Sequence, residues 1–179
     1  MTKNFIAAIA LFFAPVVVQA ACTRPVYFFD LGQVLINTSD WDHLKYMNEA
    51  QEYLHQLKAR GERLALITNV PESWGADYDA KLQTLKGVIA KTWIEPTAFE
   101  WELFEMILLP LSDAQRKPAP FLFQDAIQKA LPCPAFYQGE DLIETQAADR
   151  EGMQSYQVGR PGESFFQPLS ALLSQFVLL

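Results

Sequence analysis

The chain has 179 residues, 50% hydrophobic and 20% charged, which suits one globular domain with a continuous core and argues against disorder. Its formal charge of −7 and pI near 4.8 give no basic field, so a nucleic-acid partner held through phosphate contacts is not expected. Acidity by itself names no partner.

Met1-Thr2-Lys3-Asn4 leads into an apolar stretch from Phe5 to Val18, interrupted by Pro15, and Val18-Gln19-Ala20 is followed by Ala21. This pattern predicts a secretory signal peptide over 1–20, cleaved after Ala20, and a mature domain over 21–179 that is periplasmic or secreted. The stretch is short for a membrane span and carries a proline, so no stable span is expected after cleavage; a retained anchor is the alternative. A lipoprotein is a minor one, because Gln19 stands where a lipid-attachment box usually has leucine. Cys22 and Cys133 remain, and in an oxidising compartment they either pair or stay as two buried thiols.

Val26-Tyr27-Phe28-Phe29 is a short apolar run of β-formers, as for a strand buried on both faces, and it delivers Asp30 to the turn Leu31-Gly32-Gln33. Ser39 or Asp40 is placed to cap a helix with Leu44, Met47, Ala50, Leu54 and Leu57 on one face and Gly61 as its stop. His43 and His55 have no Cys or acid at ligand spacing and read as surface or boundary residues. Arg63 to Ile67 gives a second strand ending in Thr68-Asn69, which completes a βαβ unit. A helix follows from about Ala76 to Lys91, and Phe104 to Leu109 reads as a third strand or a short helix.

Lys117-Pro118-Ala119-Pro120 opens a helix over Phe121 to Ala130, and a fourth strand over Ala135 to Gln138 runs into Gly139-Glu140-Asp141-Leu142-Ile143-Glu144. A helix ending at Gly152, a strand around Ser155 to Val158 and an apolar C-terminal helix from about Gln167 complete the chain. The alternation predicts an α/β fold, a doubly wound parallel sheet in three layers, with ligands at the C-terminal strand ends. Trp41, Trp74, Trp93 and Trp101 read as core or rim packing rather than a sugar platform.

Three strands therefore end in polar residues on one sheet edge: Asp30, then Thr68-Asn69, then Gly139-Glu140, with Glu144 one turn on and Lys117 at the start of the preceding helix. An ionised carboxylate at the end of a buried strand needs a partner, although Asp30 taken alone also fits a simple turn-forming acid. Carboxylate oxygens around an open position suit Mg²⁺, and Lys117 can offset the remaining charge.

These segments, taken in order, resemble the motifs of the haloacid dehalogenase-like (HAD) hydrolase superfamily over about Val26 to Val158. Phe29-Asp30-Leu31-Gly32-Gln33-Val34-Leu35 is similar to the first motif, Leu66-Ile67-Thr68-Asn69 to the second and Lys117-Pro118-Ala119-Pro120 to the third. Gly139-Glu140-Asp141-Leu142-Ile143-Glu144, then Ala147-Ala148 and Gly152-Met153, is similar to the fourth. The gaps between motifs leave little room for a lid, so the chain looks like a capless or minimally capped member, open to larger substrates.

The resemblance implies a Mg²⁺-dependent phosphatase acting on a small or medium phosphorylated substrate. Asp30 would be the nucleophile that forms an aspartyl-phosphate, Thr68, Asn69 and Lys117 would meet the substrate phosphate, and Asp30, the Gly32 carbonyl, Glu140 and Glu144 would hold the metal. Two departures stand out: Gly32 occupies the position of the usual proton-donor acid, and both acids of the fourth motif are glutamates, so Asp141 is a further candidate. General acid–base help is worth roughly 10² to 10⁴ in rate, so hydrolysis of alkyl phosphates should be slow. A catalytically degenerate HAD-fold binding or interaction protein is the alternative, and hydrolytic dehalogenation through an ester on Asp30 is a third reading. The family's sheet order also makes the strands after Cys22 and Cys133 parallel neighbours, which implies a Cys22–Cys133 disulfide.

Overall fold

The computed structural model describes residues 22–171, so the leader expected over 1–20 and most of the C-terminal helix expected from about Gln167 lie outside the described residues. The elements in chain order are β1 (Val26–Phe29), β2 (Ile36–Asn37), β3 (Lys45–Tyr46), α1 (Ala50–Ala59), β4 (Arg63–Ile67), α2 (Tyr78–Thr92), β5 (Met106–Leu108), α3 (Phe121–Ala130), β6 (Ala135–Gly139), α4 (Leu142–Glu151) and β7 (Gln154–Gln157). The main sheet has five strands in the order β5-β4-β1-β6-β7, every neighbouring pair parallel.

β1 is central and wholly buried, which is why it is apolar at every position instead of alternating with polar residues. Its side chains still divide by pleat: Tyr27 and Phe29 join the core beneath α1 and α2, and Val26 and Phe28 join the core beneath α3 and α4. These two cores make the three layers. The register Val26↔Arg63 and Val26↔Ala135 sets the strand starts level, so Asp30, Thr68 and Glu140 emerge together at the opposite edge. At the starting edge, Cys22 and Cys133 form the expected disulfide, with a Cα–Cα separation of 4.7 Å.

The helix expected from Ser39 or Asp40 begins only at Ala50. Asp40 instead accepts from the Asp42 N–H at 3.0 Å and pairs with His43, while Leu44 is buried by backbone bonds to the end of α2, Leu44 N–H to Thr92 O and Ile94 N–H to Leu44 O. The apolar residues at 44 and 47 thus serve a strand-like crossing and a small antiparallel hairpin, β2 with β3, and the turn at Glu49, with φ of 67°, starts α1 in a new direction. Only Ala50, Leu54 and Leu57 of the predicted stripe lie on α1, joined by Tyr53.

The other elements lie within a residue or two of their predicted bounds. Beyond β7 the chain returns to the sheet: Phe166 stacks on Tyr53 at 4.5 Å, and Gln138 ties both segments by donating to the Tyr53 hydroxyl and accepting from the Gln167 N–H. The backbone becomes helical at 169–171, where the described residues end. Among the described residues no helix is long and apolar enough to cross a membrane.

Candidate active site

Asp30 leaves β1 with its N–H bonded to Gln138 O across the sheet, and its carboxylate is held at both oxygens. The Leu31 N–H donates to Oδ1 at 2.7 Å, and Lys117 Nζ lies 2.8 Å from Oδ2. The turn that follows closes through Gln33 N–H to Ile36 O and Ile36 N–H to Leu31 O, with Gln33 in the left-handed region at φ 53°.

Lys117 sits beneath the sheet edge with no side-chain exposure. Its ammonium meets Asp30 at 2.8 Å, Glu144 Oε2 at 2.8 Å and the Tyr137 hydroxyl at 2.9 Å, three acceptors for three N–H donors. Burial alone would lower the Lys117 pKa, but the charges of Asp30 and Glu144 outweigh it and the shift is upward, so the ammonium form is secure. Tyr137 in turn donates to Glu144 Oε2 at 3.1 Å, and its own pKa is driven well above 10 by burial and by the Asp30 and Glu144 charges.

Asn69 works on the backbone. Its Nδ2 donates to Lys117 O at 3.0 Å and to Glu144 Oε1 at 3.2 Å, while its Oδ1 accepts from the Lys117 N–H at 2.8 Å. The side chain expected to meet a phosphate is thus engaged in holding the lysine loop against β4 and α4. Glu144 is placed by its helix: Asp141 caps α4 by accepting from Ile143 N–H at 2.6 Å and Glu144 N–H at 3.2 Å. Asp141 is therefore a cap by its contacts.

Tyr137 was not legible as a site residue, because it lies in an apolar run and reads as core. The signal was its neighbour Gly139: a Cβ there would stand 2.6 Å from the Tyr137 hydroxyl, so the glycine lets the tyrosine lie across the strand end.

The sequence-selected residues converge. Asp30, Gly32, Thr68, Asn69, Glu140 and Glu144 line one cavity of about 230 Å³, with Lys117 below its floor. Glu140 is the unsettled member. Its Oε2 is buried with no hydrogen-bond partner, and burial, followed by repulsion from Asp30, raises its pKa from 4.5 to about 7. Three carboxylates here face one ammonium, so the site is short of positive charge. Among the described residues no three His, Cys, Asp or Glu side chains form a ready-made metal cage. Mg²⁺ needs no such cage, since it keeps waters and takes one or two carboxylates. The orphaned Glu140 oxygen beside Asp30, an all-oxygen donor set and the charge deficit fit that ion.

No family model matches the sequence, and no curated protein sequence matches it either. The fold does have solved counterparts. A D,D-heptose 1,7-bisphosphate phosphatase from B. bronchiseptica, crystallised with magnesium and phosphate, superposes with a TM-score of 0.55 at 17% identity over 86% of this chain and 98% of its own. A variant of a HAD-family enzyme from Bacteroides thetaiotaomicron, in complex with magnesium and inorganic phosphate, gives 0.53 at 14% identity over 79% and 97%. A hydrolase from Streptococcus pneumoniae gives 0.54 at 12% identity over 86% and 98%. The class this defines is a fold: a parallel five-stranded α/β sheet of the kind found in HAD-like phosphatases.

Proposed function

We propose that the chain is an exported, Mg²⁺-dependent phosphoric ester hydrolase that works through an aspartyl-phosphate on Asp30. The observation that carries this reading is the carboxylate of Asp30, fixed at both oxygens in the lining of a cavity and flanked by Glu140, whose Oε2 has no hydrogen-bond partner. The solved counterparts with magnesium and phosphate support it by analogy.

In this reading Asp30 attacks phosphorus with a carboxylate that the Leu31 N–H and Lys117 hold in place. Because all three Lys117 donors have protein acceptors, the lysine acts through its charge and by holding Asp30. Thr68 lines the cavity from the end of β4 and is assigned to a phosphoryl oxygen. Asn69 and Tyr137 are positioning residues for Lys117 and Glu144. Asp30, Glu140 and the Gly32 carbonyl are assigned to Mg²⁺, with Glu144 behind them because Lys117, Tyr137 and Asn69 already engage it. Bound there, the ion would supply the positive charge that the developing phosphoryl charge needs.

Export rests on the leader pattern and is supported by the Cys22–Cys133 disulfide; we take 21–179 as the mature domain and the β2–β3 hairpin as a minimal cap. The second reading, a degenerate binding protein, draws on Gly32 in place of the proton-donor acid. Hydrolysis of p-nitrophenyl phosphate separates them. Turnover that EDTA stops and that Asp30→Asn abolishes supports the enzyme; activity that survives Asp30→Asn, or none with Mg²⁺ present, overturns it.

A further inference from the structure

Every phosphate monoester presents the same phosphoryl group, so the leaving group decides which one a site can cleave. Its departing oxygen must take a proton in flight or leave as an anion. Among the described residues lining the cavity, the ionisable side chains are Asp30, Glu140 and Glu144, all assigned to the nucleophile, the metal or Lys117. Among the described residues nothing ionisable that is free of those roles replaces the acid missing at Gly32. Thr38 lies closest to that position, and its hydroxyl already accepts from Gln33 Nε2 at 3.1 Å.

The absence is not forced by sterics. A Cβ built on Gly32 would meet Thr38 Oγ1 at 3.5 Å, an ordinary contact, and Gly32 is not among the glycines held at positive φ. A side chain there is therefore spatially permitted, and the site runs without one. Part of the wall is apolar: Ile36, Leu44, Leu85, Ile89, Trp41 and Trp74 line it, beside the polar Gln33 and Thr38. Trp41 is 56% exposed, an unusual degree for a tryptophan with only a packing role.

Resting on the phosphatase reading above, we infer that the substrate class is the phosphate monoester of a phenol. The absent donor and the apolar wall point to it independently. A phenolic oxygen has a pKa near 10 and leaves as phenolate without a proton, whereas an alkyl alcohol lies closer to water at about 15.7. The aromatic ring would occupy the apolar wall. In the first step the Asp30–phosphorus bond forms, the phosphorus–aryl oxygen bond breaks, and the electron pair leaves with the phenolate, which is protonated by solvent. In the second, water attacks phosphorus, the Asp30–phosphorus bond breaks, and the water proton passes to phosphate or solvent.

The test is kcat/KM with Mg²⁺ for a series of substituted phenyl phosphates, for ethyl and glycerol phosphates, and for acetyl phosphate as a polar ester with a good leaving group. Wild type should fall steeply as leaving-group pKa rises, with aryl esters at least about 10³-fold above alkyl esters. Gly32→Asp should raise the alkyl esters by about 10²-fold or more and flatten the slope. A readout free of turnover accompanies it: by calorimetry on the Asp30→Asn protein, phenylphosphonate should bind at least tenfold more tightly than methylphosphonate. Aryl and alkyl esters cleaved alike, acetyl phosphate preferred beyond what its leaving group explains, or equal phosphonate affinities would overturn the inference and leave the phosphatase reading standing. Hydrolysis of none of these esters would overturn both.

Discussion

On one nitrogen, Lys117 balances two carboxylates and a phenol, and burial makes the arrangement costly to break. Lys117→Met should destabilise the protein by about 3–5 kcal/mol in urea unfolding, because Asp30 and Glu144 would then face each other unpaired, and adding Glu144→Gln should recover part of the loss. Glu140 gives a pH signature with a definite sign. Its folded pKa of about 7 exceeds the ordinary 4.5, so between those values the native state holds a proton that the unfolded chain has released. Metal-free stability should therefore fall as pH rises from 4.5 to 7, Glu140→Gln should reduce that slope, and Mg²⁺ should stabilise most above pH 7. A flat profile in EDTA would contradict the placement of Glu140. Asp30, Thr68 and Glu140 were legible because polar residues ending apolar strands stand out. Tyr137 and the backbone role of Asn69 were not, since one resembles core and the other makes contacts 48 residues away in sequence.

Elements aim these side chains, and α4 shows how directly. Asp141 bonds the first turn that carries Glu144, so Asp141→Ala should cost about 1 kcal/mol of stability and loosen the Glu144 contacts to Lys117 and Asn69. Thermal unfolding checks the first effect, and a weakened Lys117–Glu144 coupling in a double-mutant cycle checks the second. The helix misplaced at Ser39 marks what local pattern misses. Leu44 satisfies a helical stripe, yet its burial comes from bonding to the distant end of α2, a tertiary contact that no local window contains. The strand ends were easier to place, because a buried parallel strand reads as a nearly continuous apolar run that stops at a polar end.

At the scale of the whole molecule, Cys22–Cys133 ties the first strand to β6 at the edge away from the site, across a sequence separation of 111. In the chain-entropy model a loop of that size contributes about 4–5 kcal/mol, so replacing both cysteines by serine should lower unfolding free energy by up to that amount while leaving Asp30 chemistry intact. The doubly wound order was readable from the alternation of elements, and with it the convergence of acids on one edge. The account's central claim is that Asp30 becomes phosphorylated, and Gly32 sharpens it: with Glu140 and Glu144 assigned to the metal and to Lys117, no described residue lining the cavity is left to activate water, and the covalent intermediate should accumulate. Rapid acid quench of wild-type protein turning over p-nitrophenyl phosphate with Mg²⁺, followed by peptide mass spectrometry, measures this directly. The account predicts a phosphoryl group on the peptide containing Asp30, absent in Asp30→Asn; steady turnover with no phosphorylated Asp30 at any quench time would contradict it.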